Sequence, residues 1–171
     1  RQGSPDKRAV EEVIGGRAHY GVANSNLILR RLRGEPVVLL AAIFQQSPMV
    51  FLTLRQSQIF EPGDLAGRRV MLALKDEAEL RSTLRAEGVS IDQLRVVKHT
   101  WRLEDLLSGK VDAMSAYLTD KPYRLETLQV PYNLIRPRNY GIDFYGDMLF
   151  TSEAEVGQHP ERVQAFRRAS L

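Results

Sequence analysis

Glu11-Glu12-Val13-Ile14-Gly15-Gly16-Arg17-Ala18-His19-Tyr20-Gly21-Val22-Ala23-Asn24 can be laid without a gap over Glu104-Asp105-Leu106-Leu107-Ser108-Gly109-Lys110-Val111-Asp112-Ala113-Met114-Ser115-Ala116-Tyr117. Each stretch reads as a helix end, a glycine stop, a basic residue and an apolar strand. Helix–glycine–strand junctions resemble one another in any α/β protein, so that plain reading stands beside a true repeat. Taken as a repeat, the echo predicts two similar lobes that use the same βαβ piece. Asn24 and Tyr117 then occupy equivalent places just past the carboxyl end of a strand, where open α/β sheets bind ligands. With two such edges facing each other, a small molecule is expected in the cleft between lobes.

Outward from these anchors the same alternation continues. Asp6 is a candidate N-cap for a helix carrying Ala9, Val10, Val13 and Ile14. Leu27, Ile28 and Leu32 form the apolar face of the next helix, which Gly34 stops. Val37 to Phe44 is an unbroken apolar run of strand length, expected to be a parallel strand covered on both faces. Strands are predicted at 49–54, 69–73, 94–98, 111–117, 133–136 and 148–150. Helices are predicted at 77–87, at 103–108, after a Thr119 cap, and from Pro160 onward. The fold class is therefore α/β, two-lobed, with mostly parallel sheets. The expected division is 1–58 for lobe I, 59–141 for lobe II and 142–171 for the return to lobe I.

Composition narrows the function. Apolar residues make up 43% and charged residues 26%, which argues for a packed globular chain over a disordered one. Net charge is only +3, and Arg30, Arg31 and Arg33 sit among leucines on one helix, so a solvated helix face is expected and no nucleic-acid partner. The absence of cysteine excludes disulfides, thiolate metal sites and a cysteine nucleophile. His19, His99 and His159 are far apart and none has metal-ligand spacing. No nucleophile elbow, phosphate-binding loop or dinucleotide fingerprint is present. The chain is read as a binder and not an enzyme, with no cofactor and no metal. It lacks an initiator Met and stops inside an amphipathic pattern, so it is expected to be incomplete at both ends.

Several runs together carry a resemblance: Val10 through Ser25, Pro36 through Pro48, Pro62-Gly63-Asp64-Leu65-Ala66-Gly67-Arg68-Arg69-Val70, and Tyr140 through Asp147. They resemble the superfamily of periplasmic solute-binding proteins for alkanesulfonates and thiamine-pyrimidine precursors, which includes the eukaryotic pyrimidine synthases. Asp143-Phe144-Tyr145-Gly146-Asp147 is the most specific of these runs. The resemblance implies a type II periplasmic-binding fold that closes on ligand by a hinge, with a first strand and helix missing here from the front of lobe I. It also implies an extracytoplasmic location, and a permease of an ABC importer or a fused membrane signalling module (a histidine kinase or diguanylate cyclase) as partner. The alternative is a pyrimidine-precursor synthase of thiamine biosynthesis. That branch carries a cysteine-rich motif, whereas this chain has no cysteine.

Candidate ligand residues follow the strand ends. Asn24 and Ser25 stand at a helix start, where they either meet an anionic or carbonyl oxygen or serve as plain caps. Phe44, Gln45 and Ser47 follow the next strand, and Gln45 can pair with an amide or pyrimidine edge. In lobe II, Asp76 and Glu77 open a helix and either contact ligand or favour the helix N-terminus. Tyr117, Thr119 and Asp120 follow a strand, Tyr117 as a stacking face and Asp120 as an acceptor, or else as packing and cap. Phe144 and Tyr145 lie where the chain returns to lobe I and offer flat faces, which hinge packing explains as well.

Overall fold

The computed structural model describes residues 8–73 and 77–171. Its strands are β1 (Tyr20–Ala23), β2 (Val37–Ala42), β3 (Met49–Leu54), β4 (Arg69–Leu72), β5 (Arg95–Lys98), β6 (Ala113–Tyr117), β7 (Tyr132–Ile135) and β8 (Met148–Ser152). The α-helices are α1 (Ala9–Ile14), α2 (Asn26–Leu32), α3 (Ala78–Ala86), α4 (Glu104–Leu107), α5 (Lys121–Thr127), α6 (Glu153–Gln158) and α7 (Pro160–Ser170). The expected N-cap Asp6 lies outside the described residues. Contacts divide the chain into unit 1, residues to Ser47 together with Phe144–Leu171, and unit 2, Pro48–Asp143.

The echo in the sequence is an echo in geometry. Gly16 and Gly109 both adopt φ of +70°, a left-handed conformation that a Cβ would strain. The N–H of Ala18 donates to the Glu12 carbonyl and that of Val111 to the Asp105 carbonyl, each at 3.1 Å. The basic residue after each glycine folds back onto the same carboxylate, Arg17 on Glu12 at 3.0 Å and Lys110 on Asp105 at 3.3 Å. The strands that follow are laid antiparallel on a return strand in matching register, Tyr20 opposite Thr151 and Ala113 opposite Thr53.

In unit 1 the strand order is β1-β8-β2, with β8 antiparallel to both neighbours. All five residues of β8 are buried. Met148 and Phe150 pack with Val10 and Val13 of α1, Leu27 of α2 and Val37. α6 and α7 are tied to β1 through Glu155, which accepts two bonds of 2.8 Å from Arg162, while Tyr20 stacks on Phe166 with centroids 3.8 Å apart. Burial alone would raise the Glu155 carboxyl, but the Arg162 guanidinium holds it below the usual carboxylate range.

In unit 2 the order is β5-β4-β6-β3-β7. β4 runs parallel to β5 and β6, and β3 runs antiparallel to β6 and β7. Alternate residues of β3 face two different cores. Met49 and Phe51 join Leu80 and Leu84 of α3, whereas Val50, Leu52 and Leu54 join Leu106 of α4 and Leu125 of α5.

The α/β class read from sequence holds, with one refinement. Each sheet has a single reversed strand, β8 or β3, and that strand lies between others. Neighbouring pairs are thus more often antiparallel than parallel, although most strands point the same way. The division at Ser47/Pro48 precedes the sequence boundary at 58, because β3 pairs with β6 and β7. β2 is not covered on both faces. It is an edge strand whose one fully buried residue is Val37, and Leu39 is 38% exposed. Asp120, not Thr119, occupies the N-cap position of α5, and α6 is a helix that the sequence reading did not place.

Gly21 marks a close approach. A Cβ there would lie 2.6 Å from the ring of Phe150, its buried cross-strand partner, and 3.1 Å from Val13. Gly21→Ala should destabilise the protein by about 1–3 kcal/mol through overpacking. In a thermal melt, Phe150→Leu should cost less in that background than in the wild type, because the smaller side chain relieves the clash.

Candidate functional site

The candidate residues of unit 1 gather at one edge of its sheet. Ala23 at the end of β1 and Ala42 at the end of β2 both lie opposite Met148, where β8 begins. Asn24, Ile43 and Asp147 therefore follow or precede the sheet at the same end. Asn24 Oδ1 accepts from the Asn26 N–H at 3.2 Å, so part of its side chain does the local capping that its position suggested. Ser25 precedes α2 without a side-chain cap bond and is half-buried. The Ile43 and Phe44 N–H groups both donate to the Asp147 carbonyl, at 2.8 and 3.2 Å. Gly146 N–H donates to the Phe44 carbonyl at 2.9 Å, and Ser47 N–H to the Phe144 carbonyl at 2.8 Å. This backbone lacing brings Phe44, Ser47, Phe144 and Tyr145 onto two adjoining segments. Gln45 is exposed between them, and Tyr145 is half exposed.

Unit 2 has the equivalent edge at the carboxyl ends of β4, β5 and β6. Tyr117 closes β6 opposite Met49 and packs, half-buried, against the core that contains Met49. The Leu118 N–H donates to the Pro48 carbonyl at 2.8 Å, and Asp120 N–H to the Tyr117 carbonyl at 3.2 Å, forming a tight turn. Thr119 is exposed in that turn. The Asp120 carboxylate pairs with Lys121, whose side chain is buried beneath it. Asp76 lies outside the described residues.

Its neighbour Glu77 is 3% exposed and accepts from the Ala73 N–H at 2.8 Å and from the Ser115 hydroxyl. A buried carboxylate needs such donors. Here they also fix the ends of β4 and β6 to the start of α3.

A further group at this edge escaped the sequence reading. His99, just past β5, donates from Nε2 to the Ser115 carbonyl at 3.0 Å and accepts at Nδ1 from the Trp101 N–H at 2.9 Å. A backbone N–H can only donate and a carbonyl can only accept, so the imidazole is neutral and carries its proton on Nε2. Burial pushes its pKa below the ordinary histidine value, reinforced by the charge of Lys121 and partly opposed by the Ser115 bond. The Trp101 and His99 rings stack with centroids 3.9 Å apart. The signal available in the sequence was the strand-end rule itself, applied to β5, together with the chain's single tryptophan.

Two α/β units, each with one reversed strand and a set of loops at its strand ends, define a type II periplasmic-binding-protein-like fold. The chain belongs to the NMT1/THI5-like family, whose model matches residues 1–171. It is 24% identical over 169 residues to the riboflavin-binding protein RibY of Chloroflexus aurantiacus, covering 96% of this chain and 48% of that one. It is 28% identical over 154 residues to a formylaminopyrimidine-binding protein of Halalkalibacterium halodurans, covering 85% and 46%. The fold is similar to that of the periplasmic aliphatic sulphonate binding protein SsuA from Escherichia coli, with a TM-score of 0.71 at 18% identity over 92% of this chain and 55% of that one. The chain spans about half the length of the curated relatives it matches.

The neutral state of His99 has a consequence for stability. The unfolded chain binds a proton at His99 more readily than the folded one, so stability falls as pH drops below about 6.5, the unfolded value, and stops falling below the depressed folded value. Melting temperatures taken between pH 7.5 and 5.5 should drop in the wild type. His99→Gln keeps a donor and an acceptor but does not titrate, and it should flatten that slope.

Proposed function

We propose that the protein binds a small solute outside the cytoplasm, using the strand-end loops of both units, and that hinge closure on the solute is the signal passed on. The observation that carries this reading is the gathering of Asn24, Phe44, Ser47, Phe144 and Tyr145 at one sheet edge of unit 1, and of Tyr117, Thr119 and Asp120 at the equivalent edge of unit 2. Loops at the carboxyl ends of strands are where open α/β sheets take ligands. The names of the relatives support a solute that is pyrimidine-like, flavin-like or sulfonate-like. No helix among the described residues is long and apolar enough to cross a membrane.

Closure shifts an open–closed equilibrium only to the extent that the solute prefers the closed state. That shift serves either docking on the permease of an ABC importer or the outer region of a membrane signalling protein. The solved ligand-binding component of an ABC-type import system from Staphylococcus aureus, similar in fold at a TM-score of 0.67, favours the importer. The protein acts by binding and not by turnover. The relatives' names, a riboflavin-binding and a formylaminopyrimidine-binding protein, support this reading over the synthase alternative.

A thermal-shift panel of formylaminopyrimidine, hydroxymethylpyrimidine, riboflavin, taurine and ethanesulfonate tests the reading. A ligand specific for the folded state stabilises by about 2.7 kcal/mol at one hundred times its dissociation constant. A dose-dependent shift that Asn24→Ala and Tyr117→Ala each weaken is the expected result. No shift with any compound would sink the solute classes named here.

A further inference from the structure

Trp101 is the chain's single tryptophan, yet it is 57% exposed. Its backbone sits at φ of +65°, in the left-handed region that a bulky residue avoids. Among the described residues two other non-glycine residues share positive φ, Gln58 and Gln129, and each follows the end of a helical segment, where a left-handed residue is the usual terminator. Trp101 has no such role, because it lies between β5 and α4. Strain of this kind persists only where the surroundings hold it.

The surroundings hold Trp101 from both sides. Its N–H is fixed on His99 Nδ1. The preceding Thr100 hydroxyl donates to Asp105 Oδ2 at 2.6 Å, and the following Arg102 N–H donates to the Thr100 hydroxyl at 3.4 Å. One face of the indole is backed by the His99 ring, and His99 is itself anchored on β6 two residues before Tyr117. An indole that is braced on one side, in a residue that is itself exposed, is a preformed flat surface at the carboxyl edge of unit 2. Lys121, the buried cation near this edge, is already paired with Asp120. The geometry favours a flat ring over a sulfonate, because stacking asks for a π-face and little else.

We infer that Trp101, backed by His99, is the platform on which a planar heteroaromatic ring of the solute stacks, and that the protein takes a pyrimidine- or flavin-type ring rather than an alkanesulfonate. This rests on the solute-binding reading above and sharpens it to one ligand class.

Calorimetric titration of the protein with riboflavin, formylaminopyrimidine and ethanesulfonate tests it. At least one of the two ring compounds should bind. Trp101→Ala should weaken that binding about tenfold or more, as loss of a stacked aromatic face does, and Trp101→Phe should keep most of it. The melting temperature should change little in either variant, since the indole is largely exposed. If riboflavin is the ring compound that binds, it should also quench the tryptophan emission, which in this chain comes from Trp101 alone. Equal ring binding by the wild type and Trp101→Ala would overturn the platform while leaving solute binding intact. Binding of ethanesulfonate alone would overturn the ligand class. Binding of none of the three would overturn both readings together.

Discussion

Each sheet is organised around a strand that runs against its neighbours. β8 separates β1 from β2, and β3 separates β6 from β7. These two strands are buried along their whole length. In each unit, the echoed strand takes its register from the reversed one. The side chains of the reversed strands also serve the packed cores: Met148 and Phe150 in unit 1, and alternate residues of β3 on two faces in unit 2. Without β8, β1 and β2 lose their one partner among the described strands, and without β3, β7 loses its own and β6 keeps only β4. The helices would then lose the apolar surface they cover.

The same constraint sets where chemistry can happen. A reversed strand begins at the edge where its parallel-running neighbours end. The chain entering β8 is therefore delivered beside the loops leaving β1 and β2, and the chain entering β3 beside the loop leaving β6. Asp147 and Pro48, the residues just before β8 and β3, accept hydrogen bonds from those outgoing loops at 2.8 Å. The edges that gather Asn24, Phe44 and Phe144, or Tyr117 and Asp120, are a product of this strand reversal. His99 and Ser115 extend the second edge sideways across the end of β4.

Much of this was legible in the sequence, for definable reasons. Gly16 and Gly109 announced two helix stops because a left-handed position filters for glycine, and the acid–base pairs Glu12–Arg17 and Asp105–Lys110 are visible as a repeat in composition. Strand existence followed from apolar runs. Strand order did not, since hydrophobicity says that a run is buried and not beside what. Val37 to Phe44 looked more interior than Met49 to Leu54, yet β2 lies at an edge and β3 between two neighbours. The candidate residues at strand ends were found by a positional rule. The brace of His99 on Trp101 was missed because it depends on a backbone turn and on a contact with Ser115 sixteen positions away. Neither leaves a spacing signature.

The placement of β8 also fixes an order of assembly during synthesis. Unit 2 possesses all five of its strands once residue 135 has emerged, and it is continuous in sequence from 48 to 143. Unit 1 is different: β8, the strand that lies between β1 and β2, is made only after the whole of unit 2. Until it emerges, β1 and β2 lack the partner that joins them. Domains generally fold as units as they emerge, the earlier ones first. Here strands made before unit 2 wait for a strand made after it, and the interval between Ala42 and Met148 is the period in which a chaperone would have most to shield.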